Sequence, residues 1–167
     1  MYPHQLAFSI SATTRARRDH EVDKEHYYFL TETEFKAKIE DDLFLEWEEV
    51  YKGQFYGTLK SEINRIHAQN KTPIFDVDVV GALDIKEIYP DALSVFIRPP
   101  SVDIIRERLL KRKTESPEKI KIRLDKAEQE LGFSHKFDYI LVNDLLDVAL
   151  KEGELLTESY LGINEEE

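Results

Sequence analysis

The amino-acid sequence predicts an α/β protein with a mostly parallel sheet covered by helices. Four short apolar runs are rich in β-branched or aromatic residues and lack alternation, which is typical of strands covered on both faces: LAFSI (6–10), PIFDV (73–77), LSVFI (93–97) and YILVN (139–143). Segments with helical periodicity lie between these runs, an order typical of layered parallel sheets. A group of shorter strands in the first half of the chain predicts a second, smaller sheet.

Two of the helices have recognisable amino-terminal signals. Thr31 and Glu34 have the spacing of a capping box. Ser116 followed by Pro117 is typical of an N-cap and the first helical position. The helix that starts at Pro117 has one apolar face, formed by Ile120, Leu124, Ala127 and Leu131.

The smaller sheet is predicted by three short strands, at residues 27–30, 44–49 and 54–57. A tight turn at YKG joins the last two of these strands. The charged stretch KRKTESPEK (111–119) predicts a mobile loop between two helices. We therefore expect one domain, 1–167, comprising a small mixed-sheet subdomain at 11–69, a core at 70–110 and 124–167, and a lid at 111–123.

Composition excludes several classes of protein. The chain has 34 acidic and 23 basic side chains and a formal net charge of −11, so its field repels nucleic acids and anionic lipids. There is no cysteine, and no apolar run approaches the roughly 18 residues that would span a bilayer. The first residues lack the basic and apolar regions of a signal peptide. We expect a soluble, cytoplasmic protein that binds neither nucleic acid nor membranes.

A group of arginines and tyrosines predicts a phosphate site. Guanidinium groups bind phosphate in a bidentate manner, and hydroxyl donors support them. Arg15, Arg18, Tyr27 and Tyr56 supply these groups if the small subdomain brings them together. The alternative is a solvated basic patch in a surface ion-pair network.

A second group has the donors and acceptors that guanine requires. Guanine presents N1–H and an exocyclic amine as adjacent donors beside the O6 acceptor, so a carboxylate with hydroxyl donors is its complement. Glu46, Thr58 and Ser11 supply such a set. As alternatives, Glu46 is an exposed strand residue, Thr58 caps the helix that follows, and Ser11 satisfies a backbone group.

A pair of aspartates, Asp76 and Asp78, follows an apolar strand. Residues two apart leave a strand on the same face, at the carboxyl edge where α/β proteins place ligands. Two adjacent carboxylates repel each other unless a cation or a ligand intervenes, so the pair predicts a ligand or Mg²⁺ site. The alternative is a helix N-cap or a turn.

Two arginines in the region of the charged loop, Arg112 and Arg123, suit phosphoryl transfer. Mobile arginines neutralise the charge that spreads over the transferred phosphoryl group. The alternative is that they lie on solvated helical faces.

In order and spacing, the segments FSISATTR, HEVDKEHYYFL, FLEWEEVYKGQFYGT, IFDVDVVGA, FIRPPS and ILVND resemble guanylate kinase, the enzyme that transfers the γ-phosphoryl group of ATP to GMP. The resemblance covers nearly all of the chain. It implies a nucleoside monophosphate kinase-like fold with a parallel-sheet core, a GMP-binding subdomain and a lid. It also implies GMP as the substrate, with ATP and Mg²⁺ as cofactors.

The resemblance also implies roles for individual residues. The residues implied for guanine are Ser11, Glu46 and Thr58. Those implied for the GMP phosphate are Arg15, Arg18, Tyr27 and Tyr56. Those implied to line the same cleft are Glu21, Asp76 and Asp78. Those implied for catalysis are Asp76 and the lid arginines Arg112 and Arg123, and Asn143 is implied to lie near the adenine of ATP.

In one respect the chain departs from the family pattern. Guanylate kinases are expected to begin with a strand, a G-x-x-x-x-G-K-[ST] loop and a helix, and these 167 residues contain no such loop. We therefore expect weak ATP binding, and GMP binding without conversion to GDP by this chain. Without the first core strand, an open sheet edge with exposed apolar surface is expected, which favours a homodimer.

Two classes of function follow from this resemblance. One is an enzyme, guanylate kinase, and the other is a non-catalytic guanylate kinase-like module that binds phosphorylated peptides. Glu46, Thr58 and the two aspartates favour the enzyme, because a peptide has no use for a guanine-reading carboxylate.

Overall fold

The computed structural model describes residues 2–112 and 116–163, and at residue 112 the backbone alone. The strands of this part are β1 (Leu6–Phe8), β2 (Ala12–Thr13), β3 (Tyr28–Phe29), β4 (Phe44–Tyr51), β5 (Gln54–Leu59), β6 (Thr72–Ile74), β7 (Val95–Arg98) and β8 (Tyr139–Val142). Its α-helices are α1 (Glu32–Glu40), α2 (Lys60–His67), α3 (Val79–Ile88), α4 (Val102–Arg112), α5 (Pro117–Leu131) and α6 (Leu146–Leu161). The chain divides into two compact units, Met1–Pro90 and Asp91–Glu167.

The first unit contains two sheets. β1 and β6 form a parallel ladder with Leu6 opposite Thr72 and Phe8 opposite Ile74. The other sheet has the order β3-β2-β5-β4, in which β2 and β3 are parallel and the remaining pairs are antiparallel. The predicted small mixed sheet is therefore present, and its three predicted strands all form.

The mixed sheet packs against helix α1 through aromatic side chains. Phe35 is fully buried, and its ring stacks on Phe44 at 4.3 Å and lies 5.5 Å from Phe55. The predicted capping box starts this helix: the Glu34 backbone N–H donates to Thr31 Oγ1, and the Thr31 N–H donates to the Glu34 carboxylate. The local start signal and the buried ring together fix α1 on the sheet.

A tight turn at Lys52–Gly53 connects β4 with β5. Gly53 adopts φ +74°, a left-handed conformation that favours glycine. Its N–H donates to a carboxylate oxygen of Glu49 at 2.7 Å. The hairpin predicted from YKG is confirmed. It pairs the two longest strands of the sheet, with register shifts between Glu49 and Tyr51 and between Phe44 and Glu46.

The second unit contains the parallel pair β7 and β8, with Val95 opposite Tyr139. The Ser94 backbone N–H and hydroxyl both donate to Asp138, which ties the starts of these strands together. Helix α5 begins as predicted, with Ser116 at the N-cap and Pro117 in the first turn, and Leu124 is its buried residue.

Two details of the prediction for the parallel strands are wrong. β1 and β6 are shorter than predicted, and burial on both faces fails: Phe8 is 53% exposed, Ile74 40% and Ile97 64%. A ladder of only two strands is too narrow to enclose every apolar side chain. A homodimer through an exposed edge stays a prediction.

The predicted loop at 111–119 is also too long, because α4 continues to its last residue at position 112 and α5 starts at Pro117. Residues 113–115, within the predicted lid, lie outside the described residues. Across the described part of the chain, no helix has the length and apolar character needed to cross a membrane.

The aromatic packing predicts the stability of the first unit. Phe35→Ala should lower the free energy of unfolding by about 3–5 kcal/mol, because it leaves a cavity among packed rings. The matched control is Phe8→Ala, whose ring is 53% exposed and whose loss should cost about 1 kcal/mol or less. Urea unfolding, monitored by circular dichroism, measures the free energy of unfolding of both variants. An equal loss in the two variants would contradict a core centred on Phe35.

Candidate functional site

The loop after β2 closes around the carboxylate of Glu21. Arg15 donates to it through both terminal nitrogens, at 2.7 and 3.0 Å, and the Arg18 backbone N–H donates at 2.7 Å. Glu21 is only 5% exposed, so the contacts replace water. The hydrogen bonds from Arg15, more than any other cause, lower the pKa of Glu21 to about 2. Glu21 is a charged, buried anchor for Arg15.

The Arg15 guanidinium lies among aromatic rings, 5.3 Å from the Tyr27 centroid and 5.7 Å from that of Phe29. The Tyr27 and Tyr56 rings meet edge to face at 6.3 Å. The hydrogen bonds to Glu21 raise the pKa of Arg15, and Tyr56 contributes to the same shift. We call Arg15, Glu21, Tyr27 and Tyr56 the arginine–tyrosine cluster.

This cluster contains most of the predicted phosphate-binding residues. Arg15 is 14% exposed and pairs with a buried carboxylate, so the solvated-patch alternative does not describe it. The Arg18 side chain is exposed, although its backbone contacts Glu21. Burial raises the pKa of Tyr27, and the charge of nearby Asp76 raises it further.

Glu46 and Thr58 face each other across the hairpin. Both are buried, at 7% and 0% exposure. Burial, followed by the nearby charges of Asp78 and Asp84, raises the pKa of Glu46, and the adjacent Thr58 opposes this shift. Among the described residues, Glu46 Oε1 and Thr58 Oγ1 have no hydrogen-bond partner.

These observations exclude two of the alternatives. Glu46 is not an exposed strand residue. Thr58 does not cap helix α2, because the N-cap is Leu59 and no side chain caps it. Thr58 lies close enough to oppose the pKa shift of Glu46, yet Glu46 Oε1 and Thr58 Oγ1 fall short of hydrogen-bond geometry. A buried polar group without a partner costs about 1–3 kcal/mol, so this pair favours a ligand that supplies further bonds.

The aspartate pair divides between two roles. Asp78 is the N-cap of α3 and accepts from the Gly81 N–H at 2.9 Å, as the alternative for this residue states. Asp78 also lies close enough to Glu46 for its charge to raise the pKa of Glu46. Asp76 lies in the loop after β6, which ends at Ile74, and is exposed. Both aspartates therefore border the two groups described above.

Two glycines bring the backbone close to Glu46, and sequence analysis missed them. A Cβ at Gly81 would lie 2.7 Å from Glu46 Oε2, and one at Gly57 would lie 2.7 Å from the Glu46 carbonyl oxygen. A glycine inside a buried strand and another in the first turn of a helix are the sequence signals that indicate such close approach.

The remaining predicted residues have simpler surroundings. Ser11 directly precedes β2, and its carbonyl accepts from the Tyr28 N–H at 2.9 Å. In the second unit, Asn143 follows β8, and its carbonyl accepts from Arg108 at 3.0 Å. Arg123 is half-buried on α5. The Arg112 side chain lies outside the described residues.

The fold is that of a nucleoside monophosphate kinase-like α/β protein with a polar site on its small mixed sheet. The guanylate kinase family model matches residues 1–160, and the chain belongs to the guanylate kinase family. The family and the α/β class predicted from sequence are therefore confirmed.

Individual relatives support this assignment. The guanylate kinase of Porphyromonas gingivalis is 53% identical over 148 residues, which cover 88% of this chain and 79% of the relative. The guanylate kinase of Bacteroides fragilis is 46% identical over 162 residues, 96% of this chain and 79% of the relative. The crystal structure of guanylate kinase from Anaplasma phagocytophilum has a TM-score of 0.73 and 28% identity, covering 93% of this chain and 76% of that one.

The Arg15–Glu21 pair predicts a pH-dependent contribution to stability. Because the folded pKa of Glu21 is about 2, below its unfolded value of 4.5, the contribution is full above pH 4.5 and is lost as pH falls towards 2. Glu21→Gln should cost on the order of 2 kcal/mol at pH 7, and the difference from wild type should shrink below pH 4.5.

Urea unfolding at pH 7, 5, 4 and 3 measures this difference. The control is Glu25→Gln, an exposed glutamate in the same loop. A Glu21→Gln cost that stays constant with pH would contradict the pairing.

Proposed function

We propose that this chain is a guanylate kinase that binds GMP on the mixed sheet of its first unit, as the acceptor of a phosphoryl group from ATP. The observation that carries the proposal is the buried Glu46 carboxylate, with its unpartnered oxygen beside the unpartnered Thr58 hydroxyl. Guanine N1–H and its exocyclic amine would donate to Glu46, while the Thr58 hydroxyl would donate to a guanine acceptor, with Ser11 alongside.

The arginine–tyrosine cluster suits the 5′-phosphate of GMP. The two contacts with Glu21 and the one with the Ala16 carbonyl engage three N–H groups of Arg15, so its five-donor guanidinium retains capacity for a phosphate oxygen. Glu21 fixes the orientation of that guanidinium. The hydroxyls of Tyr27 and Tyr56 and the exposed Arg18 would complete the phosphate contacts.

The strand geometry supports one ligand that reaches both groups. Tyr56 and Thr58 are two residues apart on β5, so their side chains leave the same face about 7 Å apart. That spacing suits a base at Thr58 and a phosphate at Tyr56. A phosphorylated peptide would use the phosphate contacts alone and would leave Glu46 and Thr58 without partners, so the site favours GMP.

The donor side of the reaction rests on family membership. ATP and Mg²⁺ are the cofactors that the family implies, and Mg²⁺ is commonly held by nucleotide phosphates with one or two carboxylates. The described residues include no group of three or more side chains that could hold a metal, so we derive no step through the ion.

The roles that family membership implies therefore remain proposals for five residues: Asp76, Asp78, Arg112, Arg123 and Asn143.

Base selectivity tests the guanine assignment. GMP should bind more tightly than AMP, because adenine presents an unprotonated N1 to the carboxylate. Glu46→Gln should weaken GMP by about 1–3 kcal/mol, the scale of a charge-assisted hydrogen bond in a desolvated site.

Calorimetric titration with both nucleotides measures this selectivity. Glu40→Gln, an exposed residue at the end of α1, is the control and should bind like wild type. Equal affinity for GMP and AMP would overturn the guanine assignment and leave the phosphopeptide alternative.

The phosphate assignment makes a separate prediction. Arg15→Ala and Arg18→Ala should lower the affinity for GMP about 10- to 100-fold, because charge-assisted bonds to phosphate are lost. The affinity for guanosine, which has no phosphate, should fall much less. Arg17→Ala, exposed in the same loop, is the matched control. Titrations with GMP and guanosine decide the matter, and an equal loss for both ligands would make these arginines structural.

A further inference from the structure

A third buried carboxylate lies outside the site described so far. Glu62, on helix α2, is 1% exposed. Its Oε1 accepts from the Tyr28 hydroxyl at 2.7 Å and from Arg65 Nε at 3.0 Å. Its Oε2 accepts from the Ile10 backbone N–H at 3.0 Å and from Arg65 Nη2 at 2.7 Å. Four donors fill the roughly four acceptor positions of an ionised carboxylate.

The donors belong to segments that carry the GMP-site residues. Ile10 directly precedes Ser11, and Tyr28 directly follows Tyr27. Arg65 also donates to the Phe8 carbonyl at 3.1 Å, which extends the connection to the end of β1. Helix α2 itself follows β5, the strand of Tyr56 and Thr58. One carboxylate therefore links the backbone beside Ser11, the strand beside Tyr27 and the helix after Thr58.

We infer that Glu62 is a positioning residue for GMP binding: it holds the Ser11 segment and the Tyr27–Tyr28 strand in the arrangement that the nucleotide needs. The inference rests on the proposed function, because it assigns Glu62 to that same site. Glu62 touches neither base nor phosphate in this proposal and acts through its four hydrogen bonds. Ser11 lies on the guanine side and Tyr27 on the phosphate side, so both parts of the ligand depend on it.

A purely stabilising role explains the arrangement less well. Replacing a buried ion pair by packed apolar side chains is often neutral or stabilising, so net stability alone gives little reason for this pair. An i, i+3 pair on a helix contributes only a few tenths of a kcal/mol and needs no burial. Here the carboxylate instead bonds to a backbone N–H and to a tyrosine of two other segments, which fixes direction as well as distance.

The charge state agrees with this arrangement. Burial raises the pKa of Glu62, but the hydrogen bonds from Arg65, Tyr28 and Ile10 together outweigh burial, and the net shift is downward. Burial, followed by the bond to Glu62, raises the pKa of Tyr28 to about 12. At neutral pH Glu62 is therefore an acceptor and Tyr28 a donor, and the network keeps one arrangement.

Two variants test the inference by separating positioning from stability. Glu62→Gln keeps the shape but places an amide donor against groups that donate, and Tyr28→Phe removes one bond and keeps the ring. The matched control is Tyr139→Phe, which removes a tyrosine–glutamate bond of the same 2.7 Å length, to Glu152, in the second unit.

All proteins are titrated with GMP and with guanosine at a temperature where each is shown by thermal unfolding to be fully folded. We expect the GMP dissociation constant to rise about tenfold for Glu62→Gln and about threefold for Tyr28→Phe, with guanosine affinity falling in parallel. The control should bind like wild type. This parallel loss differs from the effect expected for Arg15→Ala, which separates GMP from guanosine.

The outcomes are distinguishable. Unchanged affinities for both variants, with or without lower unfolding temperatures, would make Glu62 structural and overturn the inference, while the proposed function would stand. A wild-type chain that binds no GMP would overturn the proposed function and the inference with it. If Glu62→Gln does not fold, Tyr28→Phe alone decides, because it removes just one of the four bonds.

Discussion

The antiparallel pairing of β4 with β5 is the constraint on which the first unit depends. The tight turn at Gly53 starts this pairing, and after a register shift between Glu49 and Tyr51 the ladder places Glu46 opposite Thr58. The same two strands carry Phe44 and Phe55 into the ring cluster around Phe35. A shift of one residue would turn every side chain of β5 to the other face, so the core and the polar site would be lost together.

Three buried carboxylates in this unit differ in what surrounds them. Glu21 has a bidentate arginine, and its pKa is strongly lowered. Glu62 has four donors, which outweigh the effect of its burial. Glu46 is buried near acidic groups, and both effects raise its pKa. The first two are therefore satisfied by the protein itself, whereas Glu46 is the one whose environment favours a bond from outside.

Local signals in the sequence predicted local structure well. The capping box at Thr31, the Ser116–Pro117 helix start and the YKG turn depend on neighbouring residues, and all three form as predicted. The sequence predicts the parallel strands but not the exposure of Phe8 and Ile97. That exposure depends on the number of strands in each ladder, which distant parts of the chain determine.

The site followed the same division. Motif order indicates the family, and side-chain chemistry alone selects Glu46 and Thr58 as candidates. For Asp78 the sequence is compatible with an N-cap and with a ligand role, and the geometry of α3 establishes the N-cap. Glu62 was missed because KSEINRIH has the pattern of a solvated helix. Its burial comes from contacts with residues 34 and 52 positions away.

The chain contains a single tryptophan, Trp47, and it lies next to Glu46 on β4. Its side chain leaves the opposite face of the strand, is 42% exposed and approaches the Phe55 ring at 6.3 Å. Intrinsic tryptophan fluorescence therefore reports on the hairpin from the side away from the polar site, and the second unit contributes nothing to that signal. In this protein one emission band follows the folding of the first unit alone.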